Sequence, residues 1–137
     1  MTEFITKRVH ELYWEKDINC ARTMLTCLSE LFEKDLCEET MHAAIGLHGA
    51  GGFRAQCGLV EGTIMFIGVF FSEKGASDSA IAGICYEFAE AFTNHFLSLS
   101  CKELRPNGFT ENDPPHACEK LTTDAVTFSY AFIQNKL

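Results

Sequence analysis

A glycine-rich run constrains the fold of this chain more than any other feature. Five of the ten glycines fall between Gly46 and Gly58, and the run leads through Cys57 into the apolar segment 63–71. Glycine adopts backbone conformations that end helices and form tight loops. The pattern therefore predicts a loop that delivers Cys57 to the start of a buried helix.

A helix start gives Cys57 a distinct chemical environment. The first turn of a helix presents unpaired backbone N–H groups and the positive end of the helix dipole, and both stabilise a thiolate. Gly58 and Gly62 lie four residues apart on one face of the same helix, so another helix or a cofactor can approach its backbone closely. The two glycines are therefore predicted cofactor-binding residues, with tight helix packing as the alternative.

Helical periodicity runs through the rest of the chain, without the alternation typical of strands. We predict helices over about 4–15 (with Thr2 as N-cap), 19–34, 55–71 and 78–99, a short helix from Glu38, a helical turn at 100–104, a loop at 105–115 that holds all three prolines, and a final helix that buries Leu121, Ala125, Phe128 and Phe132. The sequence thus predicts one all-α domain over residues 1–137, a compact bundle of five or six helices with the glycine-rich loop before the central helix.

Charge and hydropathy exclude several classes of protein. The formal net charge of −8 repels phosphate backbones, so nucleic acid is not an expected partner. The apolar run 63–71 is far shorter than the roughly 20 residues of a membrane span. The first residues do not have the basic and apolar regions of a signal peptide. We therefore expect a cytoplasmic protein with no transmembrane segment.

The chain has seven cysteines, which is many for a cytosolic protein, where reducing conditions disfavour structural disulfides. The odd count also argues against a complete disulfide framework. A metal site, a set of redox thiols and small core side chains remain as explanations. Cys27 and Cys85 lie within predicted helices at the apolar stripe and are expected in the core, whereas Cys37 lies at a helix boundary and is undecided.

The other four cysteines are expected to meet at one end of the bundle. In up-and-down packing, the helices that begin near Cys20, Cys57 and Cys118 run in one direction and start at the same end. The helix that ends near Leu99 finishes there and brings Cys101 with it. A short third helix that did not reverse the chain direction would upset this count. The topology therefore predicts a four-cysteine site.

These four positions also resemble a known family. The resemblance rests on Asn19-Cys20-Ala21, the glycine-rich run ending in Cys57-Gly58-Leu59-Val60-Glu61-Gly62, the segment Leu99-Ser100-Cys101-Lys102-Glu103-Leu104, and Cys118. In the order and spacing of its cysteines, the chain resembles the C-GCAxxG-C-C family, to which a redox role is ascribed. It departs from the central motif at Gln56, where the family has glycine, and at Gly58-Leu59, where an alanine is usual.

The resemblance carries expectations about function. It implies a small helical protein with four functional cysteines, often encoded beside transporter genes, and a relation to the cysteine domain of split-Soret cytochromes, in which a related arrangement is associated with an iron–sulfur centre. Covalent haem is not expected, because the chain has no Cys-x-x-Cys-His motif.

Three chemistries are open to a set of four thiols. An iron–sulfur cluster or a zinc ion takes about four thiolates, whereas dithiol–disulfide exchange needs two cysteines with Cα atoms within about 7 Å and one thiol of lowered pKa. Cys20, Cys57, Cys101 and Cys118 are therefore predicted as catalytic thiols and as ligands of an iron–sulfur cluster or another metal. His48 and His116 are further candidates, as a ligand or as a proton donor.

A second class of function competes with the redox interpretation. The chain would then be a non-catalytic binding or dimerisation module, accessory to a partner such as a transporter, whose cysteines hold structural zinc or stay free. Twelve phenylalanines provide enough apolar surface for a homodimer. Glu61 is an unusual carboxylate in an apolar helix, where burial without a partner is costly, so it either pairs with Arg54 or Lys102 or faces solvent.

Overall fold

The computed structural model describes residues 1–105 and 115–137, and these are helical with short connections. The predicted loop at 105–115 lies outside the described residues except for its two end positions. The helices are, in chain order, α1 (Thr2–Trp14), α2 (Cys20–Leu31), α3 (Glu38–Ala43), α4 (Gly49–Gly52), α5 (Gly58–Glu73), α6 (Asp78–Phe96), α7 (Cys101–Leu104) and α8 (Glu119–Gln134). Five are long and three are short, and the predicted all-α bundle is confirmed.

Helix α5 forms the centre of the bundle. It packs against α2, α6 and α8, while α1 packs against α2 and α8. Large side chains on α5, such as Leu59, Phe66 and Ile67, are fully or almost fully buried. Each apolar side chain of this size contributes about 1.5–3 kcal/mol when it is buried. The central helix that follows the glycine-rich loop is therefore the main support of the fold.

The ends of some helices differ from the sequence prediction. Thr2 lies inside α1, and Met1 is the N-cap. Helix α2 ends at Leu31 instead of near Lys34, because the backbone turns at Glu33, which has a φ of 52°. Helix α8 starts at Glu119, after a turn at 115–118.

The buried face of α8 also differs from the prediction. Of the four residues predicted on it, only Ala125 is fully buried, and the face is completed by Thr122, Val126, Ser129 and Ile133. Two of these are polar and find partners inside the protein. Thr122 Oγ1 lies 2.5 Å from Tyr13 Oη, and Ser129 Oγ lies 3.3 Å from Thr63 Oγ1. Hydrogen bonding lowers the cost of burying these hydroxyls.

No helix in the described ranges combines the length and the apolarity that crossing a membrane requires.

Candidate functional site

The four cysteines predicted to meet each lie at the start of a helix. Cys20 is the first residue of α2 and Cys101 the first of α7, whereas Cys57 and Cys118 are the N-caps of α5 and α8. Cys20, Cys101 and Cys118 line one cavity of about 340 Å³. Cys57 is only 5 % exposed and interacts electrostatically with all three. The structure thus brings the four thiols together at one end of the bundle.

A short backbone pairing fixes the starts of α5 and α7 relative to each other. The Cys57 amide donates to the Leu99 carbonyl over 2.8 Å, and the Cys101 amide donates to the Ala55 carbonyl over 2.7 Å. Between them, Gln56 and Ser100 form an isolated antiparallel bridge. The sequence gives no sign of this pairing, because a single bridge is too short to produce a strand pattern.

The predicted glycine loop folds against Cys101. Its short helix α4 is kinked, with left-handed backbone at Gly49, Ala50, Gly51 and Gly52. A Cβ atom added at Gly49 would lie 3.2 Å from Cys101 Sγ and from the Arg54 backbone. Both the positive φ and the close approach favour glycine at this position.

The glycine face of α5 is occupied by α2. A Cβ atom at Gly58 would lie 2.3 Å from Cys20 Sγ and from the Leu47 carbonyl oxygen. A Cβ atom at Gly62 would lie 2.4 Å from the Ala21 carbonyl oxygen. The two glycines thus allow α2 to approach α5 and place the Cys20 sulfur against the first turn of α5. A cofactor-binding role for them stays a prediction.

Asn19 ties three segments together at the cavity. Its side-chain oxygen accepts a hydrogen bond from the Arg22 amide over 2.9 Å and caps α2. Its amide nitrogen donates to the carbonyls of Ala44 and Ile45, at 3.0 and 2.7 Å, and lies 3.3 Å from His48 Nδ1. The start of α2 is therefore held to the chain that follows α3, with His48 in the cavity wall.

An aromatic stack forms another part of the wall. The His116 ring stacks on Tyr13 with a centroid separation of 4.8 Å and contacts the edge of Trp14 at 5.0 Å. Its Nε2 atom lies 3.3 Å from Asp17 Oδ1. His48 and His116 thus both line the thiol cavity, and their roles as ligand or proton donor stay predictions.

Burial determines the ionisation of the thiols. Burial first, and then repulsion from the thiolates of Cys101 and Cys118, raise the pKa of Cys20 to about 11. Burial and the neighbouring thiols, Cys20 foremost, raise the pKa of Cys57 to about 12. The sequence-based expectation that helix starts lower these pKa values is wrong, because desolvation and like charge outweigh the backbone N–H groups.

Cys101 has a different electrostatic environment. Burial raises the pKa of its thiol, but the positive charges of Arg105 and Arg54 act in the opposite direction. Both arginines line the cavity with Cys101. Cationic neighbours favour a thiolate, so Cys101 is better placed than Cys20 or Cys57 to ionise.

Tyr13 is a member of the site that the sequence did not indicate. Its side chain is buried, and its pKa is raised well above the usual value, first by burial and then by the charge of Cys20. The thiols of Cys118 and Cys57 add to this effect. In the sequence, Tyr13 is one member of an ordinary apolar helix stripe, which carries no signal of nearby thiols.

The remaining cysteines lie apart from this cavity. Cys27 is fully buried in the core, as predicted, and burial raises its pKa to about 12. Cys85, which was also expected in the core, is only half-buried on α6 and packs against the core from its edge. Cys37 is exposed at the N-cap of α3, and a hydrogen bond with the Thr40 hydroxyl lowers its pKa.

Glu61 has a partner other than those predicted. The side-chain amide of Gln56 donates a hydrogen bond to its carboxylate, and the residue is half-buried on α5. The Glu61 carboxylate therefore has a hydrogen-bond donor in the nearby Gln56 side chain, whereas Arg54, Lys102 or solvent had been expected.

The types of donor atom at the site suit a metal centre, but their arrangement does not. Four thiols are a suitable donor set for zinc or an iron–sulfur cluster. Within residues 1–105 and 115–137, however, no group of three or more His, Cys, Asp or Glu residues is arranged to hold a metal ion. Cys20, Cys101 and Cys118 share a cavity, but the described residues form no metal-binding group in this conformation.

Comparison with known proteins gives one match. A family model described as "Putative redox-active protein (C_GCAxxG_C_C)" matches residues 18–131. This range covers most of the chain and all four cysteines of the site, and it confirms the resemblance drawn from the sequence. No curated protein and no solved structure matches the chain.

Proposed function

This chain belongs to the C-GCAxxG-C-C family, described as redox-active, and we propose that its four-cysteine site performs dithiol–disulfide exchange. One observation supports the proposal: Cys20, Cys101 and Cys118 come from three separate helix starts and line one cavity, and Cys57, at a fourth helix start, interacts electrostatically with all three. Two such thiols can give up two electrons and two protons by forming a disulfide, and they regain both when the disulfide is reduced.

Cys101 is the proposed attacking thiol. It is partly exposed in the cavity wall, and the two arginines favour its thiolate. Cys20 is the proposed resolving thiol, because the charge of Cys101 is the largest electrostatic influence on it. Its sulfur lies against Gly58, where a side chain would displace it.

The proposed reaction is balanced by a disulfide from the partner molecule. The Cys101 thiolate attacks one sulfur of that disulfide, forms a mixed disulfide and releases the first partner thiol, which takes up a proton. The Cys20 thiol then loses its proton and attacks the Cys101 sulfur, releasing the second partner thiol. The site loses two electrons and two protons, and the partner disulfide gains both.

A thiol count under controlled oxidation tests this function. The protein would be purified without oxygen and its free thiols counted before and after exposure to bis(2-hydroxyethyl) disulfide. Exposed Cys37 should form a mixed disulfide by itself, and we expect wild type to lose two further thiols reversibly and peptide mapping to join Cys20 to Cys101. The Cys85→Ser variant serves as the control and should behave like wild type. Oxidation of Cys101→Ser at the wild-type rate would overturn the assignment.

Metal and sulfide analysis of the same preparation addresses the alternatives. Iron with sulfide and a visible absorption band that disappears in Cys57→Ser would replace the dithiol proposal with a cluster protein. Bound zinc whose loss in the same variant unfolds the protein would favour the structural binding module. A metal-free protein with reversible thiols supports the exchange reaction.

The cysteine content supports the cytoplasm as the proposed location, where a reducing thiol pool returns the disulfide to the dithiol form. A homodimer and a transporter partner stay predictions from the sequence.

A further inference from the structure

His48 lies next to the part of the chain that touches the proposed attacking thiol. It lines the thiol cavity together with Cys20 and Cys101, and it is exposed to solvent. The residue that follows it, Gly49, packs against Cys101, because a Cβ atom at Gly49 would lie 3.2 Å from Cys101 Sγ. The histidine and the attacking sulfur therefore border the same end of the cavity.

The glycine-rich loop fixes the backbone at His48. The His48 carbonyl accepts a hydrogen bond from the Gly52 amide over 2.9 Å. The next carbonyl, that of Gly49, accepts a hydrogen bond from the Ala55 amide over 3.1 Å. The Ala55 carbonyl in turn accepts a hydrogen bond from the Cys101 amide over 2.7 Å. Backbone hydrogen bonds thus connect the loop that carries His48 to the start of α7.

The orientation of the Asn19 side-chain amide follows from its backbone partners. Its oxygen accepts a hydrogen bond from the Arg22 amide, and its nitrogen donates to the carbonyls of Ala44 and Ile45. A flipped amide would set its nitrogen against an N–H group and its oxygen against two carbonyls. The Asn19 atom that lies 3.3 Å from His48 Nδ1 is therefore the nitrogen, which can only donate.

This contact selects the tautomer of the His48 ring. A neutral imidazole carries its proton on one nitrogen and accepts hydrogen bonds at the other. Because Nδ1 faces the Asn19 donor, it is the accepting atom, and the proton is on Nε2. Within residues 1–105 and 115–137, Nε2 of His48 has no hydrogen-bond partner. Its N–H group can therefore donate to a molecule that enters the cavity.

The second histidine of the cavity has a different environment. His116 Nε2 lies 3.3 Å from Asp17 Oδ1, and its ring contacts Tyr13 and Trp14. Its side chain is 18 % exposed. These contacts hold His116 in the cavity wall, so His48 is the better placed histidine to meet a bound molecule.

The proposed attack moves negative charge onto the partner molecule. As the Cys101 sulfur bonds to the nearer sulfur of the partner disulfide, the S–S bond breaks and its electron pair goes to the farther sulfur, which leaves as a thiolate. A hydrogen-bond donor at a developing charge lowers the barrier of such a step.

We propose that the Nε2–H group of His48 donates a hydrogen bond to this leaving thiolate, and that Asn19 holds the ring in the tautomer that the donation requires. The thiolate then takes up its proton from water. This role rests on the proposed exchange reaction, in which Cys101 is the attacking thiol.

Two disulfides with different leaving groups test this role. Bis(2-hydroxyethyl) disulfide releases a strongly basic alkyl thiolate, whereas dithiodipyridine releases a weakly basic thiolate whose charge is delocalised. Mass spectrometry of quenched samples measures the exchange rates, in a Cys37→Ser parent protein because exposed Cys37 reacts by itself. His48→Leu removes the donor, and His48→Gln keeps a side-chain N–H group. His42→Leu, at an exposed histidine of α3, is the matched control.

We expect His48→Leu to react about tenfold more slowly with bis(2-hydroxyethyl) disulfide and to keep its rate with dithiodipyridine within about twofold, because the hydrogen bond matters most for a basic leaving thiolate. His48→Gln should recover most of the loss, and His42→Leu should match the parent protein. An equal loss with both disulfides would overturn the role, since the substitution would then have damaged the site. An unchanged rate with the first disulfide would overturn it as well.

Two further measurements separate this role from the proposed function. Exchange by Cys101→Ser at the parent rate would overturn the exchange reaction and this role with it, whereas its loss in Cys101→Ser with normal exchange by His48→Leu would overturn this role alone. Nitrogen NMR reports the tautomer without any exchange. At about pH 8.5, above the ordinary titration range of histidine, we expect the His48 proton on Nε2. A proton on Nδ1 would overturn the role even if the thiols exchange.

Discussion

Replacement of Gly62 by alanine tests the close approach that positions Cys20. The added Cβ atom would lie 2.4 Å from the Ala21 carbonyl oxygen and 3.0 Å from the Ala21 Cα atom. The shorter distance is about 1 Å below an optimal contact between such atoms. Both neighbours are backbone atoms, which cannot rotate away, so α2 and α5 must separate.

The magnitude follows from two opposing effects. Overpacking in a core costs about 1–3 kcal/mol, and a clash with backbone belongs at the upper end of this range. Alanine in place of glycine within a helix contributes about 1 kcal/mol of stability in the opposite direction. The net expectation for Gly62→Ala is a loss of roughly 2 kcal/mol in the free energy of unfolding.

Gly68 provides a matched control in the same helix. A Cβ atom there would have no atom within 4 Å, so Gly68→Ala should gain about 1 kcal/mol from helix propensity alone. The two variants are expected to differ by roughly 3 kcal/mol, or about 12 °C in melting temperature for a domain of this size. Urea titration and thermal melts followed by circular dichroism measure both. Equal stability of the two variants would refute the close packing of α2 on α5.

Three further predictions follow from the thiols and the α2 cap. The free energy of unfolding should fall above pH 9 by up to about 1.4 kcal/mol per pH unit for each of the buried thiols of Cys20 and Cys57. In the folded protein these thiols keep their protons up to about pH 11 and 12, whereas in the unfolded chain they lose them near pH 8.5. Constant stability in urea titrations from pH 8 to 10 would contradict this expectation. Iodoacetamide at pH 7.5 should label exposed Cys37 first and the buried Cys27 and Cys57 last, and mass spectrometry that finds equal rates would contradict the burial. Asn19→Ala should cost about 2–3 kcal/mol in a urea titration, since it removes a helix cap and two donated hydrogen bonds; a loss below about 0.5 kcal/mol would show that they contribute little.

The sequence predicted the helices well where apolar side chains repeat with the helical period. Helices α1, α2, α5 and α6 all have strong apolar stripes, and their positions agree with the prediction to within a few residues. The buried face of α8 was predicted in part: Ala125 is fully buried and Leu121, Phe128 and Phe132 pack against the core, whereas the buried Thr122 and Ser129 were missed because they are polar. Their burial depends on Tyr13 and Thr63, which are distant in the sequence, so a local pattern carries no information about it.

The convergence of the four thiols could be predicted from topology, because helix direction alternates along a bundle and each cysteine lies at a helix end. The detailed contacts of the site could not be predicted in this way. The pairing of the Cys57 and Cys101 segments and the stacking of His116 on Tyr13 depend on tertiary contacts. The predicted lowering of the thiol pKa values failed for the same reason: a helix start is visible in the sequence, whereas the depth of burial is not.

Burial of the thiols disfavours the charged thiolates in the proposed exchange reaction, but not the neutral disulfide. Burial first, and then repulsion from neighbouring thiolates, raises the pKa values of Cys20 and Cys57, because charge is costly where water is excluded. A disulfide carries no charge, because its formation removes two protons together with two electrons. The cost of ionisation therefore falls on the attacking step, and the positive charges of Arg54 and Arg105 offset part of it at Cys101, where burial still raises the pKa of the thiol. A thiol with cationic neighbours in the cavity wall, beside thiols that burial keeps neutral, is the arrangement that the proposed exchange reaction needs in order to act only on a partner that reaches the cavity.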